Sequence, residues 1–234
     1  MARAGNYLLI DISNSFTKMA FADFNAALLR RFIARRKIDI TVVASVVPKK
    51  NSVVRKAAGQ NRILWLGPRL KLGVGIDYPK PKTIGADRLA NAAAVAELYG
   101  CPAIVVDFGT AVTFDIVSEE QEYIGGVIAP GLEAMTNFLY QRTALLPKLS
   151  LREPRRAIAR STMEAMRAGA VLGYRGLVSE IIARIKAERF ANRKVHVVAT
   201  GGYADLIAAK LREIDVVRAD LTLEGLRIIA NSNT

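Results

Sequence analysis

The chain has 234 residues, 51% of them hydrophobic, which suits one large folded domain or two small ones. It carries 34 Lys and Arg against 21 Asp and Glu, a formal net charge of +13. One cysteine, Cys101, excludes an internal disulfide, and with His196 the sole histidine a zinc site is not expected.

No apolar run approaches the roughly 20 residues of a membrane span. The run Tyr7–Ile10 is too short for a signal-peptide core, so a cytoplasmic location without membrane contact is expected. The basic residues are dispersed over Arg30–Lys37, Pro48–Lys50, Leu151–Arg160 and Glu188–Lys194. None of these segments interleaves aromatics as a base-stacking platform would. They read as solvated surface with a general attraction for phosphorylated small molecules, not as a specific nucleic-acid interface.

In chain order, Tyr7–Ile10 and Thr17–Phe21 read as a strand pair around a turn at Asp11. Ile40–Pro48, "ITVVASVVP", is a β-branched run stopped by proline, hence a buried strand. Arg62–Gly67 is a further short strand. "ADRLANAAAVAELYG" is alanine-rich and closed by Gly100 and Pro102, the pattern of a helix. "IVVDFGTAVTFD", Ile104–Asp115, is two apolar strands around an Asp107 turn, and Tyr123–Gly131 is the next strand. Ser161 and Glu164 stand at capping-box spacing, so a long helix should start near Thr162. Gly169, Gly173 and Gly176 within it suggest close packing against a neighbouring backbone. Val195–Leu211 reads strand, Gly-Gly turn, helix, and "LTLEGLRIIAN" is a closing helix.

Strands lead each half and helices follow, so an α/β fold of two similar domains is expected, residues 1–102 and 103–234, with ligands in the interdomain cleft. The turns at Asp11 and Asp107 repeat one device, an apolar strand ending on a carboxylate and followed by small or hydroxyl residues. Such turns let backbone N–H groups and hydroxyls approach phosphate oxygens, while the carboxylate can hold a cation. "ATGGYADL" offers a third such turn. Neither a P-loop nor a dinucleotide fingerprint is present.

Together "DISNSFTK", "GADR", "DFGTAVTFD", "GGVIAPGL", "STMEAMRAGAVLGYRG" and "ATGGYADL" resemble type III pantothenate kinase along nearly the whole chain. That family belongs to the actin-like ATPase superfamily, so the resemblance implies two actin-like (ribonuclease H-like) domains. It implies ATP-dependent phosphorylation of pantothenate, the first step of coenzyme A synthesis, by a homodimer. Asp11, Ile12, Ser13, Asn14, Ser15, Phe16, Thr17 and Lys18 look like the first phosphate-binding motif. Thr110 looks like a second phosphate contact, and Gly201 and Gly202 lie where the family holds adenosine. Asp107 resembles the ligand of a monovalent cation, potassium or ammonium, beside the magnesium that accompanies ATP. Gly85, Ala86, Asp87 and Arg88 match the pantothenate motif, with Asp87 as catalytic base, and Tyr78 and Thr162 match further pantothenate contacts.

The chemistry of Asp87 and Arg88 stands on its own: a hydroxyl attacking a γ-phosphate needs a positioned base, and Arg88 can pair with a carboxylate. Ser13 and Ser15 stand where the family usually has glycine and threonine. Two other readings remain open at this point: a catalytically impaired kinase-like binding or regulatory protein, and a related kinase for another hydroxyl substrate. Cys101 and His196 read as structural.

Overall fold

Strands and helices alternate along the chain as the apolar runs dictate. The structure, a computed structural model, describes residues 7–13, 17–19, 33, 38–191 and 193–234. Contacts divide the chain into two units. The first takes Met1–Cys101, Val117–Gly125 and Asp220–Thr234, and the second takes Pro102–Ile116 and Gly126–Ala219.

The first unit is built on strands β1 (Tyr7–Ile12), β2 (Thr17–Met19), β3 (Ile40–Ser45) and β4 (Arg62–Trp65), ordered β2-β1-β3-β4. β1 pairs antiparallel with β2, placing Asp11 opposite Lys18, and parallel with β3, placing Asp11 opposite Ala44. Asp11 therefore lies within the strand and not in the turn. β3 is central and parallel to β4, and its residues Ile40–Ala44 are all buried, which is why this stretch reads as an unbroken apolar run. Pro48 does not merely stop it. Proline pre-sets the backbone dihedral of a first helical residue and lacks only an N–H that would be unbonded there, so Pro48 opens helix α1 (Pro48–Ala58). Leu8, Ile10, Ile12, Val43, Val54 and Ala57 form the core between this helix and the sheet.

A 3₁₀ turn at Pro81–Thr83 leads into α2 (Ala86–Tyr99), whose run Leu89–Val95 is buried throughout. Helix α6 (Leu221–Ser232) packs along it. Gly225 permits that approach, since a Cβ there would run into the Ala90 backbone. The buried Thr222 hydroxyl donates to Asn91 Oδ1 at 2.9 Å across the same contact.

A six-stranded sheet has the order β10-β9-β6-β7-β8-β5. Its strands are β5 (Gly75–Ile76), β6 (Ala103–Phe108), β7 (Ala111–Val117), β8 (Glu122–Pro130), β9 (His196–Thr200) and β10 (Val216–Val217). β6, β9 and β10 are parallel, and Ala103–Val106 are completely buried. The second unit adds α3 (Leu132–Arg142), α4 (Thr162–Ile185) and the short α5 (Ala204–Ala208). The Ser161 hydroxyl accepts from the Glu164 N–H at 3.3 Å, which fixes where α4 begins.

The glycine pattern in α4 does not have the expected partner. No atom lies within 4 Å of a Cβ placed at Gly169, Gly173 or Gly176, and all three are exposed. Among the described residues no other element makes a close approach at that face. No helix among the described residues is long and apolar enough to cross a membrane.

The Asn91–Thr222 bond joins buried groups, so its loss has a measurable cost. Thr222→Val, which keeps the side-chain shape, should lower stability by about 1–3 kcal/mol in urea unfolding, because Asn91 loses a buried donor. An unchanged midpoint would contradict this role.

Candidate active site

Asp87 sits in the first turn of α2, where the helix dipole favours a carboxylate. Gly85, the residue before the helix, carries no cap side chain. Its missing Cβ matters in another way: a Cβ there would collide with Asp87 Oδ1. The carboxylate instead folds back over Gly85 and accepts the Arg88 N–H at 2.8 Å. Burial pushes the Asp87 carboxyl above its ordinary 3.8, opposed by the Arg88 N–H bond and then the Arg88 charge. A raised carboxyl is better matched to taking up a proton than an ordinary surface one.

Arg88 places its guanidinium over the Tyr123 ring, 5.7 Å from the centroid. Tyr123 is fully buried and meets Tyr78 edge-on, with centroids 6.1 Å apart at 71°. Tyr78 is thereby tied to Arg88 through Tyr123, a residue that sequence reasoning did not single out. Its only signal is an aromatic in the buried phase of β8.

In the same unit the segment Asp11–Lys18, which resembles the first phosphate-binding motif, begins where β1 ends. Val46 links the two motifs: its N–H donates to Ile12 O at 3.1 Å, and its Cγ1 lies 3.5 Å from a Cβ built on Gly85. Val46 is therefore bonded to the end of β1 and lies beside Gly85, the residue that precedes the Asp87 turn. Lys50 of α1 brings its Nζ to 3.5 Å from Ser13 O, adding a cation beside this motif. Its basic segment was visible in the sequence, but its proximity was not. Among the described non-glycine residues only Gln121 and Ala191 have positive φ, so Ser13 occupies backbone that a serine adopts without strain. Asn14, Ser15 and Phe16 lie outside the described residues, and for Thr17 and Lys18 only the strand is described.

In the second unit Asp107 lies near the end of β6, opposite Thr200 of β9. Gly201 follows with φ +95°, and a Cβ there would stand 2.6 Å from Asp107 Oδ1 and 2.6 Å from Phe108 N. Only glycine satisfies both the dihedral and the approach. The turn carrying Thr110 is closed by Gly109 N–H donating to Ala111 O, and Gly131 N–H donates to Thr110 O, each at 3.1 Å. Asp107, Thr110, Gly201 and Gly202 thus belong to one group of connected turns. Thr162 is exposed at the start of α4 and shares no hydrogen bond with that group among the described residues. His196 serves β9 through its N–H to Pro102 O at 3.1 Å, and burial pushes the Cys101 thiol up, away from a reactive thiolate.

The donors at the second group are carboxylate and hydroxyl oxygens, the type that hard cations take. Thr200 Oγ1 is buried there with no hydrogen-bond partner among the described residues. This set fits a monovalent cation at Asp107. No group of three or more His, Cys, Asp or Glu that could hold a metal occurs among the described residues.

Comparison with known proteins places these motifs in a family. The family profile of type III pantothenate kinase matches residues 21–184. A type III pantothenate kinase of Akkermansia muciniphila is 48% identical, over 97% of this chain and 99% of its own length. Another, from Methylacidiphilum infernorum, is 44% identical over 95% of this chain and 87% of its own. A crystal structure from Campylobacter jejuni, described as a Baf family transcriptional activator, shares the fold at a TM-score of 0.62. It covers 97% of this chain and 98% of its own at 21% identity. The chain belongs to the type III pantothenate kinase family, with the α/β fold and the kinase chemistry that this membership carries.

Proposed function

We propose that the family's reaction, transfer of the ATP γ-phosphoryl group to pantothenate, is carried out here with Asp87 as the general base. The observation that supports this reading is the place of Val46, bonded to the end of β1 and lying beside Gly85, so that the Asp87 turn is near the end of the strand that leads into residues 11–18. Asp87 takes the proton of the substrate hydroxyl as that oxygen attacks phosphorus. Arg88 pairs with the pantothenate carboxylate, and its stacking on Tyr123 holds the guanidinium in place. Gly85, Ala86, Tyr78 and Thr162 complete the contacts to pantothenate.

Residues 11–18 and Thr110 hold the phosphates, and Gly201 and Gly202 hold the adenosine. Asp107 ligates potassium or ammonium, and magnesium with ATP offsets the phosphate charge. The protein acts in the cytoplasm, and its homodimer forms on the exposed face of α3 and α4. Met135, Phe138, Leu139 and Tyr140 of α3 and Met163 and Leu172 of α4 are all exposed there, with the three uncovered glycines. Exposed apolar side chains are the kind that a partner's surface covers in an interface.

Kinetics, unfolding and sedimentation test this reading. Asp87→Asn should lower kcat about 10²–10⁴-fold with little change in pantothenate affinity. In the wild type the acid limb of kcat/KM should lie above 3.8, the direction in which burial moves Asp87. The folded state holds that proton more tightly than the unfolded chain does, so native stability falls as pH rises through the folded pKa. The uncharged amide should therefore unfold no earlier than wild type at pH 7. Loss of activity accompanied by a lower Tm would point to a structural role instead. For assembly, sedimentation equilibrium at micromolar concentration should show a dimer burying roughly 2,000 Å² or more in total. A fully active monomer would contradict it.

A further inference from the structure

The basic segment Leu151–Arg160 is not absorbed by the kinase reading, and the structure gives it a definite form. Together with the first turns of α4 it lines a cavity of about 250 Å³ within the second unit. Arg152, Arg155, Arg156 and Arg167 face it with Glu153 and Glu164. One water needs only about 10–15 Å³ of such space, so the cavity admits a polyatomic ligand.

Arg167 is the informative residue. It is only 6% exposed, yet its one hydrogen bond among the described residues runs from Nε to the Ser150 carbonyl at 3.2 Å. No ion pair to it is found among the described residues. The residue is buried and only Nε is bonded, and no Arg167 nitrogen is among the buried atoms left without a partner, so the other guanidinium N–H groups open onto the cavity, where an anion can complete them.

The acidic residues nearby do not supply that anion. Glu153 is engaged elsewhere: both its oxygens accept from Arg175, at 3.1 and 2.6 Å, and Lys210 adds a bond at 2.9 Å. Arg175 also donates to the carbonyls of Leu206 and Ile207, which pins this loop to the end of α5. Glu164 is exposed, and it serves the helix start through its backbone N–H. The clamp at Glu153 thus fixes a loop that presents three arginines over a fourth, buried one.

We infer that this cavity is a second ligand site, for the phosphate group of a small molecule, anchored by Arg167 and closed by Arg152, Arg155 and Arg156. Guanidinium forks match phosphate oxygens in pairs, which a scattered solvated charge run would not require. The concave shape and the absence of an aromatic lining favour a small phosphorylated molecule over nucleic acid. This site does not depend on the kinase reading.

The test uses the full chain, saturated with a non-hydrolysable ATP analogue so that the nucleotide site cannot take the probe. Inorganic phosphate is titrated calorimetrically at an ionic strength held constant with chloride. One phosphate per chain is expected. Arg167→Met, which keeps the apolar stem, should weaken binding at least tenfold. Arg155→Ser/Arg156→Ser, on exposed positions that tolerate change, should weaken it at least fivefold with unchanged basal turnover. Glycerol 3-phosphate binding more tightly than free phosphate would identify a phosphomonoester as the ligand, and the reverse order would identify the free ion. Absence of binding, equal binding by the double variant, or displacement of phosphate by a single-stranded oligonucleotide would overturn the proposal.

Discussion

The Asp87 carboxylate is packed back against a glycine at the head of a helix whose next turns are wholly buried, and the first unit is organised around that contact. The run Leu89–Val95 of α2 is buried all round, and its one polar side chain there, Asn91, is bonded to Thr222. The helix is covered by α6 along one side, and β3 also contacts it. A helix held this way gives its first turn little freedom, so Asp87 and Arg88 emerge in fixed directions. Gly85 then removes the one atom that would push the carboxylate away. The same burial that fixes the group raises its proton affinity, so positioning and proton affinity have a single physical source.

The second unit solves a related problem with different parts. There an apolar strand, β6, carries Asp107 to its end, and the neighbouring parallel strand continues into a glycine at positive φ that leaves the carboxylate room. Backbone bonds from Gly131 and Tyr203 hold the adjoining turns, at 3.1 and 3.4 Å. Oxygen donors on rigid strand ends suit charge that must be held without reorganisation during phosphoryl transfer. Both units thus place a carboxylate where an interior strand or helix ends, because only there can a polar group be both anchored and reachable.

Much of this was legible in the residues. The capping pair Ser161 and Glu164 marks the start of α4, since the physics of that signal is entirely local. The β-branched run of β3 marks a buried strand for the same reason, while its parallel pairing is set by strands far along the chain. Pro48 was ambiguous, because stopping a strand and opening a helix use the same fixed dihedral. Helix α3 gave no periodic signal: it exposes Met135, Phe138, Leu139 and Tyr140, so its apolar residues do not mark one inner face. Tyr123 and Lys50 owe their places to contacts with residues far along the chain, and Asn91 meets Thr222 across most of its length. Arg167 reads as one more basic residue until burial separates it from the solvated ones.

The central claim is that a hydroxyl of pantothenate receives phosphate at the Asp87 turn. Coupled ADP release by the wild-type protein, with ATP and potassium present and pantothenate added or withheld, tests it most directly. The account predicts ADP formation that depends on pantothenate and matches phosphopantothenate formed one for one. ADP release at the same rate without pantothenate, or no release with it, would contradict the account.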